Sequence, residues 1–151
     1  MTLEQMLEYG HLRRHRTSAQ EVKNLLAIVE RDLRDSRTPG LSADARFAVT
    51  YNVGLKLCTI LLFASGFRTG QGDSHHYRTI EAMPVILGPS HTKNAEYFNG
   101  CRNRRHKIEY DCAGVAGDND VADLQEFVAE LKSTTMGWLQ KNQPELLQFN
   151  K

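Results

Sequence analysis

The chain has 151 residues, of which 40% are apolar and 25% are charged, a mixture that is typical of a globular protein and excludes a disordered one. Its length suits a single domain over residues 1–151 with a substantial core. The formal net charge of +1 excludes nucleic-acid binding by bulk charge alone, so any such binding requires a local basic patch.

The first third of the chain predicts two helices. Residues 3–15 form the first, with a short apolar face that Gly10 weakens. Ser18 then opens a capping box with Glu21, because each side chain can satisfy a free amide of the other residue. The second helix ends at the turn sequence of residues 37–40. Its apolar side chains recur at helical spacing and are Val22, Leu25, Leu26, Val29 and Leu33.

The middle of the chain predicts one long, buried helix. Ser42 caps it, it runs to about Ser65, and Gly66 stops it. The helix is apolar nearly all round, as a central helix of a bundle must be. Its most apolar stretch, residues 55–66, is interrupted by Lys56 and is too short for a bilayer, so we expect no membrane span.

The rest of the chain predicts three further helices. A polar, glycine-containing loop over residues 68–73 leads to Ser74, which can cap a short fourth helix that Pro84 kinks or shortens. The fifth helix spans about residues 93–110, with Phe98, Cys101, Arg105 and Ile108 on one side, and the last runs from Asp118 to Pro144. No stretch with a two-residue period competes as a strand. The sequence therefore predicts an all-α fold, an antiparallel helical bundle of about five to six helices.

The cysteines and the first residues bear on the cellular compartment. Cys58, Cys101 and Cys112 form neither an even disulfide framework nor a Cys-x-x-Cys metal pair, so we expect buried, reduced thiols in a cytoplasmic protein. The first five residues lack a basic segment leading into an apolar one, and we expect no signal peptide. No phosphate-binding loop or dinucleotide fingerprint occurs, and we expect no cofactor and no bound metal.

Residues 101–111, CRNRRHKIEYD, hold the densest set of candidate functional side chains. Arg102, Arg105 and Glu109 share one helical face, while His106 and Tyr110 follow Arg102 on an adjacent stripe. Arginine forks match phosphate geometry, and histidine or tyrosine can move a proton beside them. This combination is typical of a phosphodiester or nucleotide site. The simpler alternative is a solvated basic surface in which Arg105 and Glu109 form an ordinary helical ion pair.

Two other pairs of residues could join this segment. His75 and His76 could be metal ligands, but neighbouring helical residues diverge by about 100° and no third ligand is apparent. Polar contacts at the start of the fourth helix, or packing against the arginine helix, are therefore the better interpretation. Asp44 and Arg46, at the start of the third helix, could be ionic partners of the arginines.

Five stretches of the chain, taken together, give a family resemblance. They are LSADARF at 41–47, YN at 51–52, GFR at 66–68, HH at 75–76 and the segment 97–111. Over about residues 41–146 the chain resembles a bacterial subfamily of HEPN domains (higher eukaryotes and prokaryotes nucleotide-binding). The resemblance implies an all-α bundle, often dimeric and often found in toxin–antitoxin and defence systems. Active members of the family are metal-independent ribonucleases whose motif is an arginine, a polar residue and then a histidine near a helix end. The arginine and histidine of two protomers meet at the dimer interface.

The family motif is only partly present. Arg105 matches its arginine and His106 its polar residue, but Tyr110 stands where the shortest form of the motif has a histidine. A tyrosine, with a pKa near 10, is a far poorer base at neutral pH than an imidazole with a pKa near 6.5. Arg68 and His75 also match a permitted spacing, but across the glycine-containing loop, which we interpret as a coincidence.

The resemblance therefore implies a protein that binds RNA, a nucleotide or a partner protein and cleaves RNA weakly or not at all. The expected partners are RNA or a nucleotide, a second copy of the chain in a homodimer, and a cognate antitoxin or toxin. The alternatives are a metal-independent ribonuclease toxin and a helical interaction module without a nucleic-acid role. The candidate catalytic residues, for the ribonuclease above all, are Arg105, His106 and Tyr110. The candidate phosphate-binding residues are Arg102, Arg105, His75 and His76.

Overall fold

The computed structural model describes residues 1–70 and 74–148, so residues 71–73 of the predicted loop lie outside the described residues. In chain order the elements are α1 (Leu3–Glu8), β1 (Leu12–Arg14), α2 (Ala19–Asp35), α3 (Ala43–Ala64), β2 (Phe67–Thr69), α4 (His75–Leu87), α5 (Thr92–Tyr110) and α6 (Asp118–Asn142). Short 3₁₀ turns at Pro89–His91 and Pro144–Leu147 precede α5 and follow α6. The predicted all-α helical bundle is confirmed.

The central helix is α3, which packs against α2, α4, α5 and α6. Ser42 caps it by accepting a hydrogen bond from the Ala45 amide. Gly66, with a left-handed φ of 93°, follows its end. Both boundaries agree with the sequence prediction. The side chains that α3 buries include Phe47, Tyr51, Val53, Leu57, Ile60 and Leu61.

The apolar part of α3 is longer than the sequence-based estimate. The helix has 22 residues, and its most apolar part, with a mean hydropathy of 1.6, has the length and composition of a membrane-spanning helix. However, 61% of that part is buried inside the protein. Burial by neighbouring helices is what the central helix of a bundle requires.

The close approach of α5 to α3 depends on Gly54. A Cβ atom at this position would lie 2.4 Å from Cζ of Phe98, so only a glycine lets the Phe98 ring rest on the α3 backbone. The same ring stacks on Tyr51, with centroids 4.9 Å apart, and on Phe127 of α6, at 5.5 Å. This aromatic stack joins α3, α5 and α6 and fixes the rotation of α5.

The N-terminal segment differs from the prediction. The first helix ends at Glu8 instead of continuing to His15, because Gly10 adopts a left-handed φ of 78°. Residues 12–14 form β1, which pairs with β2 in an antiparallel register that places Arg13 opposite Arg68. The prediction of no strand was therefore wrong. A strand of three residues is too short to reveal a two-residue period.

A small apolar cluster holds these two strands against the bundle. Leu12 of β1 and Phe67 of β2 are buried together with Met6, Leu62 and Ala82. Burial of one side chain from each strand compensates for the shortness of the pairing, since an isolated two-stranded ribbon is marginally stable at best.

Two predicted helix caps differ in detail. Ser18 does accept a hydrogen bond from the Glu21 amide, but the Glu21 carboxylate binds His15 and Thr17 in place of closing a capping box. Ser74 precedes α4 without making a side-chain cap, because its φ and ψ of −94° and 8° are far from the extended conformation that a cap requires.

The cysteines agree with the prediction in two of three positions. Cys58 and Cys101 are buried free thiols, whereas Cys112 is exposed. Cys112 lies beyond the end of α5 at Tyr110, outside the part of that helix that packs on α3. The expectation that all three thiols are buried was therefore wrong for Cys112.

Candidate functional site

The orientation of α5 decides which candidate side chains face the bundle. Phe98 and Cys101 are buried, and Arg105 follows Cys101 by four residues, so it falls on the same face of the helix. The predicted shared face of these residues is thus observed. Arg105 is brought against α3, with a side chain that is only 23% exposed.

Arg105 is held on an aromatic ring and by one ion pair. Its Cζ atom lies 5.6 Å from the centroid of the Tyr51 ring, within the range of a cation–π contact. Its Nη2 is 2.7 Å from Oε1 of Glu109, which is the ordinary helical ion pair considered as the simpler alternative. Its Nε is buried and has no hydrogen-bond partner among the described residues. One donor of the guanidinium is therefore unsatisfied.

His76 lies on the other side of Tyr51. The Tyr51 hydroxyl is 3.3 Å from Nδ1 of His76, so one tyrosine contacts both Arg105 and His76. Burial raises the pKa of Tyr51, which keeps its hydroxyl protonated and able to donate to Nδ1. When the hydroxyl donates in this way, the ring proton of His76 is on Nε2.

The pKa of His76 is lowered to about 4, first by burial and then by nearby cationic groups. A half-buried imidazole among cations loses free energy on protonation, so His76 is neutral at physiological pH. The cationic groups responsible are His75, Arg105, Arg102 and Lys56.

Arg102 is positioned by Asn99 and by a ring of α4. Its Nε donates to Oδ1 of Asn99 at 2.8 Å, and its Cζ is 5.6 Å from the centroid of Tyr77. Arg78 contacts the same ring at 5.2 Å. We refer to Tyr51, His76, Tyr77, Arg102 and Arg105 as the arginine–histidine cluster. The two guanidiniums of this cluster lie on aromatic rings. The Tyr51 hydroxyl and the His76 ring are oriented by their contact with each other. Such a fixed set of polar groups suits a planar or phosphate-bearing anion.

His106 and Tyr110 lie outside this cluster. Both are exposed, Tyr110 at 70%, and their rings face each other with centroids 4.8 Å apart. These two catalytic candidates therefore occupy an outer stripe of α5, next to Arg105 along the chain but turned toward solvent. The structure brings His76, and not His106, to the ring on which Arg105 rests.

His75 and His76 also line a cleft of about 200 Å³. The described lining of this cleft comes from α3, β2 and α4, and α5 contributes nothing to it. The arginine–histidine cluster and the cleft are therefore two adjoining sites that share His76, and the described lining of the cleft does not include His106. Arg68 and His75 both line the cleft.

Asp44 and Arg46 are not partners of the arginines. Asp44 accepts hydrogen bonds from the amides of Gly114 and Ala116, at 2.6 and 2.9 Å, and these bonds hold its pKa below the usual value. Arg46 pairs with Asp118 at 2.6 Å. These contacts place the N-terminus of α3 beside the connection between α5 and α6. Asp44 and Arg46 therefore both hold that connection in position.

Sequence reasoning missed the two tyrosines of the cluster. The sequence predicts Tyr51 as an inward position of the third helix and as part of the family resemblance, without a functional role, and no motif singles out Tyr77. The available signal was the polar end of each ring, since a buried tyrosine hydroxyl usually needs a hydrogen-bond partner. The identity of that partner depends on how α3, α4 and α5 pack, which no local pattern contains.

Similarity to known proteins gives no indication of function. Comparison with protein-family models, with curated proteins and with solved structures found no match. Within residues 1–70 and 74–148, no three His, Cys, Asp or Glu side chains come together as a possible metal site. The function of the chain is therefore inferred from the geometry and charge of the arginine–histidine cluster itself.

Proposed function

We propose that the protein is a HEPN-like domain that binds RNA or a nucleotide through the arginine–histidine cluster and cleaves RNA slowly or not at all. The observation that carries this proposal is the Arg105 guanidinium, fixed on Tyr51 with a buried, unsatisfied Nε. Leaving a buried donor unpaired costs roughly 1–3 kcal/mol. An anionic ligand at the terminal nitrogens would not pair with Nε, but it would stabilise the charge of this partly desolvated guanidinium.

Arg102 supports the same function. Its Nε is used by Asn99, and an arginine carries four further N–H donors on its two terminal nitrogens. A phosphate bound beside Arg102 and Arg105 would interact with two cationic side chains from one face of α5. Tyr77, which is 38% exposed, holds Arg78 as well as Arg102 on its ring and so brings a third cation to this surface.

The absence of an effective base supports slow cleavage. His76 has a pKa of about 4 and is a weak base, and its Nδ1 is already occupied by the Tyr51 hydroxyl. Tyr110 stands at the histidine position of the motif, and a phenol seldom loses its proton at neutral pH. Binding without efficient hydrolysis follows from these properties.

A homodimer through α4 and α5 completes the proposal. Tyr77, Val85, Tyr97 and Tyr110 are exposed large side chains of these two helices, and a second copy of the chain could cover them. An isologous contact would place each arginine–histidine cluster near its own copy. A cytoplasmic protein of this kind would act with a cognate antitoxin or toxin partner.

The test is binding of a fluorescein-labelled single-stranded RNA, followed by anisotropy at two salt concentrations. Arg102→Ala and Arg105→Ala should each weaken binding about tenfold, in line with the 1.5–3 kcal/mol of a hydrogen bond to a charged group. Arg31→Ala, which removes an exposed arginine of α2, is the matched control and should leave binding unchanged. Equal affinity in all four proteins would favour the interaction-module alternative.

A second candidate function is that of a metal-independent ribonuclease. It is favoured by the ring contact between His106 and Tyr110, which places two exposed side chains that can exchange protons with a substrate in the same helix as Arg105. Incubation of the purified protein with mixed RNAs tests it. Rapid cleavage that is lost in both Arg105→Ala and His106→Ala would establish this function in place of simple binding.

A further inference from the structure

The cleft between α3, β2 and α4 has properties of a binding site in its own right. It measures about 200 Å³, which is enough for a small organic anion and too little for a polynucleotide. Its walls combine cationic, hydroxyl-bearing and apolar side chains. The residues that define its chemistry are Lys56, Thr59, Phe63, Arg68, His75 and His76.

The fixed charge of the cleft is positive. Lys56 and Arg68 supply two cations, and the described lining contains no carboxylate. Glu21 of α2 lies near Arg68 and is influenced by its charge. Its Oε1, however, already accepts a hydrogen bond from Thr17 at 2.7 Å and contacts His15 at 2.6 Å. With two cations and one nearby carboxylate, the described residues give the cleft a net positive charge, which attracts an anion.

His76 supplies a directed donor to this cleft. Its Nδ1 lies against the Tyr51 hydroxyl at 3.3 Å, so Nε2 is the ring nitrogen that remains for a ligand, and in the tautomer with its proton on Nε2 this nitrogen is a donor. His75 packs edge-on against it, with ring centroids 4.4 Å apart, which restricts the rotation of the His76 ring. A neutral His76 can thus donate a hydrogen bond to an anion without first gaining a proton.

The remaining walls are apolar. Phe63, Leu55 and Leu62 line the cleft on the α3 side, and Phe63 is itself packed against His15 at a centroid distance of 4.2 Å. A fully solvated inorganic ion would gain nothing from these walls. A ligand with one anionic end and one small apolar end would use both kinds of surface.

We propose that this cleft binds a small phosphate monoester, with its phosphate between Lys56, Arg68 and His76 and its organic group against Phe63. The site is separate from the proposed RNA-binding surface, although the two share His76. Occupancy of the cleft places a dianion beside His76 and would favour its protonated form. Ligand binding in the cleft therefore affects the protonation of His76, the ring that also contacts Tyr51.

The experiment is a titration with phenyl phosphate at pH 7.5, followed by NMR of the histidine ring nitrogens and by calorimetry. Saturable shifts of the His76 ring are expected, with weaker binding of inorganic phosphate and no binding of benzyl alcohol. Arg68→Ala and Lys56→Gln should each weaken phenyl phosphate binding about tenfold, in line with the 1.5–3 kcal/mol of a hydrogen bond to a charged group.

Arg34→Ala is the control for net charge, because Arg34 is an exposed arginine of α2 that does not line the cleft. It should leave the affinity unchanged. No saturable shift of His76, or an equal loss in Arg34→Ala and Arg68→Ala, would overturn the proposal. RNA binding depends on Arg102 and Arg105, so failure of one proposal is distinguishable from failure of the other.

Discussion

Phe98 occupies the space where a side chain on Gly54 would be. A Cβ atom there would lie 2.4 Å from Cζ and 2.6 Å from Cε1 of the ring, and the ring is itself confined by Tyr51 and Phe127. Neither ring leaves space for Phe98 to move away from position 54. The contact therefore sets the distance between α3 and α5, and with it the position of Arg105 over Tyr51.

Gly54→Ala should destabilise the protein in spite of the better helix propensity of alanine. Overpacking of a filled core costs roughly 1–3 kcal/mol, which exceeds the gain of about 0.5–1 kcal/mol from replacing a helical glycine. Urea denaturation measures the difference. Gly100→Ala is the control, since a Cβ there meets nothing within 4 Å, and it should be neutral or stabilising. A stabilised Gly54→Ala protein would contradict the contact.

The acid side of the stability curve should depend on His76. The pKa of His76 is lowered to about 4 from 6.5, so between these values the unfolded chain binds a proton that the folded chain does not. The contribution of His76 to the free energy of unfolding is at its full value above pH 6.5 and is lost as the pH falls toward 4. The charged and titratable groups around this ring, from α3, α4 and α5, are Lys56, Tyr51, His75, Arg102 and Arg105.

An NMR titration of the histidine rings checks this directly, with His76→Gln used to assign the resonance. The His76 signal should remain that of a neutral imidazole until the pH approaches 4. Thermal unfolding of His76→Gln should show a weaker dependence on pH in the same interval. A His76 midpoint near 6.5 would show that neither burial nor the neighbouring cations act on this ring.

Neutralising Glu109 should strengthen anion binding. Its carboxylate occupies Nη2 of Arg105, and a phosphate has to compete with it. Exposed ion pairs contribute roughly 0.2–1 kcal/mol, so Glu109→Gln should tighten RNA binding about two- to fivefold in the anisotropy assay. Glu130→Gln, an exposed glutamate of α6, is the control for net charge. Equal tightening in both variants would indicate a bulk-charge effect and no local competition.

Removal of the Asp44 carboxylate should loosen the connection between α5 and α6. Asp44 holds the amides of Gly114 and Ala116, so Asp44→Ala should accelerate hydrogen exchange at these two positions and lower the urea midpoint. Because these bonds lower the Asp44 pKa, the wild-type advantage should fade as the pH falls below the ordinary carboxyl range. Unchanged exchange at Gly114 would contradict the clamp.

The fold was readable from the sequence where patterns are long. The apolar periodicity of α3 and α6 and the Ser42 and Gly66 boundaries are local signals, and the structure agrees with them. The end of α1 was misjudged because the sequence does not state whether Gly10 continues a helix or adopts a positive φ. The strands were missed because the pairing of Arg13 with Arg68 joins residues far apart in the chain.

The candidate site, like the fold, has one part that local sequence patterns predict and one part that they do not. The common face of Phe98, Cys101 and Arg105 follows from spacing along one helix, and it was predicted. The contact of Arg105 with Tyr51, and of Tyr51 with His76, requires three helices to pack in one particular way. For that reason the sequence favoured His106 as the neighbouring imidazole, whereas the folded chain brings His76 to the ring beneath Arg105.

The strand pair has a kinetic consequence. Three ladder positions join β1 to β2 across the whole length of α2 and α3, and the entropy of closing so long a loop must be overcome before any of these bonds contributes. The pair should therefore form late, after α3 has docked, and should open first in partial unfolding. Since β2 contributes Arg68 to the cleft, such an opening would also be a route by which a ligand enters or leaves.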